Sequence, residues 1–349
     1  MNVSMDVENK TAAESGPQYY IPDDVLSVLQ VRYHIILPIF VCLAILVNSF
    51  CIAVTRRPKL SSLQCNIYIQ MMASLDLMAT IAYMPFIFDT ELCLYEKYGA
   101  AFYFTHFSVH IPNCLRAAIT YVMLSLSYDR FLAIWFPLRY KNISKEGILK
   151  KRFIFGGIWM VISFIPAMTI GNVSRQSEGL WLGLCGYKYV KSDWVFYYKM
   201  YLMLIIGILP IILIIGLNIG LVVGLCTKGI TKLGPSNKRN RLLSSTVAVL
   251  AINISYVFCC VPYLLTAGFY NRDKGKCYST YKTEMTLLIF NSMVLLWSII
   301  NILIFFLLNK DYSHEIRKML ECVPYIQNSI KNRSVSTDPR EESLSDNPS

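Results

Sequence analysis

Seven stretches of this chain are long and apolar enough to cross a lipid bilayer, and no other feature restricts its fold as severely. They run near Ile35–Val54, Ile67–Phe88, Phe107–Ile134, Phe153–Gly171, Met200–Cys226, Leu243–Tyr270 and Met285–Leu308. A spanning helix needs about 20 mainly apolar residues, because the hydrocarbon layer is about 30 Å thick and each helical residue rises about 1.5 Å. A membrane β-barrel would show short alternating segments, whereas these runs are continuous. The third is the least apolar, since it holds His110, Pro112 and Arg116. Composition agrees: of 349 residues 55% are hydrophobic and 16% charged. The expected fold class is an all-α integral membrane protein, a seven-transmembrane helix bundle over residues 33–308. An extracellular polar segment, 1–32, precedes the bundle, and a cytoplasmic surface helix with a disordered tail, 309–349, follows it.

Basic residues set the orientation, because Lys and Arg are retained on the cytoplasmic side. With the amino terminus outside, the inner segments carry about twice as many of them as the outer ones. The expected location is therefore the plasma membrane, crossed several times, with the amino terminus outside and the carboxyl terminus inside. The net charge of +11 then reflects topology; no basic stripe with interleaved aromatics suits nucleic acid. The first 30 residues are polar and lack a short apolar core, so the first spanning helix is expected to direct insertion itself. Asn2, Asn9 and Asn172 begin Asn-x-Ser/Thr sequons on the outer side and are candidate glycosylation sites. Asn142, Asn253 and Asn332 begin matching tripeptides on the inner side or within the membrane and are set aside.

Of eleven cysteines, Cys93, Cys185 and Cys277 fall outside, where one disulfide among the three is permitted. The longest outer loop, 172–199, contains LWLGLCGYKYV, which suits a small hairpin. After Leu308, Tyr312, Ile316, Met319 and Leu320 share one helical face opposite Lys310, Arg317 and Lys318, the pattern of a short amphipathic helix on the inner membrane surface. Cys322 at its end is a candidate for lipidation. The tail beyond is polar, and Ser334, Ser336, Thr337, Ser343 and Ser345 are candidates for phosphorylation.

The third apolar stretch ends at SYDRFLAIWFPLRY, where Asp129 and Arg130 stand side by side at the membrane edge. Seven helices, an outside amino terminus, Asp-Arg-Phe at this depth and the following Ile134, Pro137 and Leu138 together resemble the rhodopsin-like family of G-protein-coupled receptors. Further positions match that family singly: Asn48 in LVNSF, Asp76 in ASLDL, Trp159, Pro210, Pro262 and Asn301. The resemblance implies a receptor that binds an extracellular ligand and activates a heterotrimeric G protein. In it Asp129 would hold Arg130 at rest and release it on activation. It also implies arrestin as a partner through the phosphorylated tail, and no cofactor.

Several positions depart from the family's pattern. Helix six reads Cys259, Cys260, Val261, Pro262 where Cys-Trp-x-Pro is usual. Helix seven reads Asn301, Ile302, Leu303, Ile304, Phe305 in place of Asn-Pro-x-x-Tyr, and Asn218 stands where a tyrosine is common. Thr105 lies near the place of the usual disulfide cysteine, so the resemblance directs the choice to Cys93 with Cys185.

Asp76 needs a partner, because a carboxylate near the bilayer centre otherwise costs several kcal/mol. Family members commonly use a sodium ion. Ser298 and Asn301 could contribute to one here, but Ile119 and Trp297 stand where further polar ligands are expected. Arg116, about 21 Å up the helix from Arg130, either pairs with Asp76 or anchors an anionic group of the ligand; the pair is favoured. The intramembrane polar network is thus Asn48, Asp76, Arg116, Ser298 and Asn301.

The candidate ligand pocket comprises Arg116, Trp181, Tyr263 and Asn291. By the resemblance, Pro112 in place of an aspartate disfavours a biogenic amine, and Leu295 in place of a lysine disfavours a retinal chromophore. The series WSIINILIF is similar to the proline-free version in invertebrate neuropeptide receptors of the FMRFamide type, so a neuropeptide is the expected ligand. A chemosensory small-molecule receptor is the alternative within the family. His106 and His110, four apart, are too few for a metal site. No catalytic motif supports an enzyme. A secondary transporter would show repeated halves, which are not apparent. Lys228, Lys232, Lys238, Arg239 and Arg241 border the inner opening and suit contact with anionic membrane lipid or with the G protein.

Overall fold

The computed structural model describes residues 23, 27, 30–61, 64–84, 94–95, 97–108, 110–140, 148–169, 172–175, 181–184, 193–227, 236–269 and 281–321. Among them stand seven long helices and the helix that follows them, besides shorter helical segments: α1 (Leu37–Thr55), α2 (Gln64–Tyr83), α3 (His110–Trp135), α4 (Ile148–Thr169), α5 (Leu209–Thr227), α6 (Ser236–Phe269), α7 (Tyr281–Leu308) and α8 (Lys310–Glu321). Five of the segments satisfy strict length and hydropathy requirements for a membrane span, and α2 and α4 complete the bundle. The helices that face lipid carry apolar side chains outward, among them Leu46, Ile162, Ile219 and Phe258. That surface is stable only in hydrocarbon, because water would leave it unsolvated.

Helix six begins at Ser236 and helix seven at Tyr281, each earlier than apolarity alone suggested. Backbone helices extend beyond the hydrocarbon into polar sequence at little cost, so hydropathy marks the lipid-buried part and not the helix end. The third crossing is also longer: a helix Tyr98–Tyr103 and a π-helical turn Phe104–Ser108 lead into α3. A second π-helical segment, Leu202–Ile208, lies just before Pro210 in the fifth crossing. Proline has no N–H to complete the regular pattern, and a locally widened turn accommodates that loss. Pro166 and Pro262 sit inside α4 and α6.

The inner and outer ends are named here by the charge-based orientation. α3 is the central helix and packs against α2, α4, α5 and α6. One apolar core joins Ile119, Met123 and Leu126 of α3 with Tyr68 and Met72 of α2, Ile214 of α5, Val249 and Tyr256 of α6, and Trp297 and Phe305 of α7. Tyr312, Ile316 and Met319 of α8 join this core from below, so the apolar face of the surface helix turns to protein as well as to lipid.

The stretch expected to form a hairpin gives one strand, its residues 185–190 lying outside those described; that strand joins a three-stranded antiparallel sheet at the outer end, in the order β1 (Leu94–Tyr95), β3 (Trp181–Leu184), β2 (Asn172–Arg175). Leu94 pairs with Leu182, and Asn172 with Leu184. Only β3 comes from the stretch that suggested a hairpin; its neighbours lie upstream. Cys93, Cys185, Cys277, Cys322, Asn2 and Asn9 fall outside the described residues, and Asn172 opens β2.

Candidate functional site

The inner end of α3 carries two charges that the protein buries almost completely, Asp129 at 3% and Arg130 at 4% exposure. Ionised groups at such depth persist only when hydrogen-bonded. The Tyr68 hydroxyl of α2 donates to Oδ2 of Asp129. Arg130 turns the other way: its Nη1 donates to Ser245 Oγ on α6 at 3.1 Å, and its Nη2 to the Tyr140 hydroxyl at 3.4 Å. Tyr140 lies beyond the spanning part of α3, where burial pushes its hydroxyl pKa upward against the opposing influence of Arg130. It therefore keeps its proton at neutral pH. Thus the aspartate is tied to α2 and the arginine to α6, and the two neighbours act on helices on opposite sides of α3.

Two further polar contacts join α3 to α6. Thr120 Oγ1 lies 2.7 Å from the Tyr256 hydroxyl. Since Thr120 donates to the Arg116 carbonyl, Tyr256 supplies the hydrogen here. One turn inward, Asn253 Nδ2 donates to Ser127 Oγ and to Asn218 Oδ1, each at 2.8 Å. The ring of Tyr256 also meets Trp297 edge-on, with centroids 5.2 Å apart. α6 is thereby held to α3 by a polar seam of Tyr256, Asn253 and Ser245.

Between α1, α2 and α7 the expected intramembrane network is largely assembled. Asn48 Nδ2 donates to the Ala44 carbonyl at 2.8 Å and to Ser298 Oγ at 3.2 Å. Asn301 Nδ2 donates to Asp76 Oδ2 at 3.2 Å. The Arg116 Nη1 donates to the Tyr83 hydroxyl at 3.2 Å, and its guanidinium sits 4.4 Å over the Tyr83 ring. Asn301 thus presents an N–H to the carboxylate, while its own Oδ1 and that of Asn48 are buried without a hydrogen-bond partner.

A family model for "7 transmembrane receptor (rhodopsin family)" matches residues 47–305, which is most of the chain. The chain belongs to the rhodopsin family of seven-transmembrane receptors. Comparison with curated proteins finds no match. As a member of a family of receptors rather than enzymes, the chain is a multi-pass membrane protein that answers an extracellular ligand and activates a G protein. The match spans α2 to α6 in full and ends at Phe305, so it includes Asp129, Arg130 and the whole polar seam.

Of the residues expected to line a ligand pocket, Arg116 and Asn291 are half-buried in α3 and α7. Trp181 and Tyr263 are described by backbone only, in β3 and α6. His106 and His110 go separate ways. His106 Nδ1 donates to the Met168 carbonyl at 2.6 Å with its ring on Phe102, and His110 is buried in α3.

Ser245, Tyr140, Tyr68 and Asn253 were missed in the sequence. Asn253 carried a usable signal, because an amide within a spanning helix implies a hydrogen-bonding partner on another helix. The matching tripeptide Asn-Ile-Ser drew attention to glycosylation instead. Hydroxyls such as Ser245 carry no such signal, since serine within a helix commonly bonds its own backbone.

Proposed function

We propose that this receptor resides in the plasma membrane with its amino terminus outside and answers a short, amidated neuropeptide. The observation that carries the peptide reading is the outer sheet. β3 is central and β1 and β2 form its edges, and an extended peptide binds readily by adding main-chain hydrogen bonds to a sheet edge. Trp194, Tyr198 and Tyr201 stack in succession at the outer end of the fifth crossing, offering rigid aromatic surface of the kind peptides bury. Arg116 and Asn291 below supply polar groups, with Arg116 held in place by Tyr83.

Arg116 serves Asp76 first and the ligand second. Its charge offsets the buried carboxylate, and its seat on Tyr83 fixes the guanidinium between α2 and α3. Cys93–Cys185 would link the residue before β1 to the residue after β3, Asn2, Asn9 and Asn172 would carry glycans, and Cys322 a lipid. Arrestin would recognise the phosphorylated tail.

At the inner face, ligand binding must favour an arrangement in which α6 departs from Arg130, since a ligand with equal affinity for both states shifts nothing. The test is a screen of amidated peptides on cells expressing the receptor, read as guanine-nucleotide exchange. A response that requires a peptide and is lost with Arg130→Ala supports the reading. A response confined to small odorant-like molecules would replace it with the chemosensory one.

A further inference from the structure

We propose that Asn253 is the positioning residue that keeps the inner face closed, acting as a double latch from α6 onto α3 and α5 at once. The inference rests on the G-protein reading above and concerns residues that reading does not use. Asn253 is 1% exposed and Ser127 is fully buried, so neither can exchange its bond for one with bulk solvent. One amide nitrogen serves both neighbours: its two hydrogens go to Ser127 Oγ and Asn218 Oδ1, each at 2.8 Å.

The Ser127 hydroxyl donates to the Met123 carbonyl at 2.8 Å, which leaves its oxygen to accept from Asn253. The Asn253 amide nitrogen faces α3, and Asn218 turns its own oxygen toward it.

Its place along α6 gives the latch its effect. Tyr256 touches Thr120 and Trp297 one turn above Asn253, and Ser245 touches Arg130 two turns below. If α6 swings outward about the Tyr256 contact, Ser245, farther from that pivot, moves most and parts first, and Asn253, nearer to it, holds until the swing is larger. A swing of that size draws Asn253 away from its partners on α3 and α5. It exposes an amide N–H pair, a serine oxygen and an asparagine oxygen to a medium that cannot hydrate them. Arg130 by contrast keeps its Tyr140 contact when Ser245 leaves. The latch is thus the more expensive contact to open and sets how rarely the unliganded receptor does so.

The test compares ligand-free guanine-nucleotide exchange in membranes, per receptor at the surface, for Asn253→Leu, Ser127→Ala, Asn218→Leu and the double variant Asn253→Leu/Ser127→Ala. Asn253→Leu should raise exchange about tenfold and each single partner variant about threefold, the double variant no further than Asn253→Leu alone. Asn253→Ser, which retains one hydrogen, should fall between wild type and Asn253→Leu. A second readout needs no G protein: spin labels at the exposed positions Leu138 and Asn240 should show a longer inner-face distance in Asn253→Leu than in wild type. A structural role alone would lower the surface number without raising exchange per receptor or lengthening that distance, and would overturn the proposal. So would exchange that rises with Ser245→Ala but not with Asn253→Leu, an outcome that leaves the G-protein reading intact. A lengthened distance with no exchange from any variant would uphold the latch and count against G-protein coupling.

Discussion

Arg130 of α3 donates to Ser245 of α6 across 3.1 Å, both residues buried. Among the described residues, Arg130 meets the inner end of α6 through a hydroxyl, one helical position from Ser244, whose own hydroxyl donates to the Leu308 carbonyl. A charge-assisted hydrogen bond of this kind contributes about 1.5 kcal/mol. Ser245→Ala should raise ligand-free nucleotide exchange about fivefold to tenfold, with little change in surface number, in an assay on membranes from expressing cells. Raising ionic strength should leave the wild-type value almost unchanged, because a buried bond is poorly screened.

The Tyr312 hydroxyl of α8 donates to Asn66 Oδ1 at 2.6 Å, and Asn66 Nδ2 to the Thr55 carbonyl at 2.8 Å. α8 is thus tied through α2 to the end of α1. Tyr312 lies outside the spanning segments, and burial raises its hydroxyl pKa above the ordinary range, so it remains a donor at any physiological pH. Tyr312→Phe keeps the ring on Phe305 and should cost about 1 kcal/mol, visible as a drop of a few degrees in the unfolding temperature in detergent. Lys59→Ala removes an ion pair with Glu315 in which the lysine is 68% exposed; it should change that temperature by less than a degree, since surface pairs contribute little.

α5 approaches the inner end of α3 through glycine. A Cβ at Gly224 would stand 2.8 Å from Ile134 Cγ2 and from Trp135 Nε1, and Trp135 Nε1 donates to the Gly220 carbonyl at 3.0 Å. Gly224→Val should force the helices apart, at about 1–3 kcal/mol for overpacking. Reduced surface expression and lower thermal stability would register this, and a Gly216→Val control, with open space at its Cβ, should express normally.

Tyr83 carries the Arg116 guanidinium by both its ring and its hydroxyl. Tyr83→Phe should be mild, within about 1 kcal/mol, because the ring remains beneath the cation. Tyr83→Ala should lower surface expression markedly. Arg116→Ala should do the same by leaving Asp76 without its neighbouring charge. If surface expression stays normal and only ligand affinity falls, Arg116 is a ligand anchor and not a partner of Asp76.

The seven crossings were legible because lipid imposes one demand on every one of them, and length with apolarity expresses that demand directly. Asn48, Ser298, Asn301 and Asp76 were legible for the converse reason: a polar group in that solvent requires a partner. The partners themselves were harder to see. Nothing in the order of residues tells that Asp129 looks to Tyr68 and Arg130 to Ser245, since which way a side chain turns at a helix end is settled by the opposing helix. The early starts of α6 and α7 were hidden because polar residues beyond the hydrocarbon do not signal a helix by apolarity.

If Arg130, freed from α6, is what turns on the G protein, exchange raised by loosening α6 must depend on that arginine. The most direct measurement is ligand-free exchange in Ser245→Ala membranes with and without Arg130→Ala, at matched receptor number. Exchange should be raised in the single variant and fall to the level of untransfected membranes in the double one. Raised exchange that persists without Arg130 would contradict that dependence.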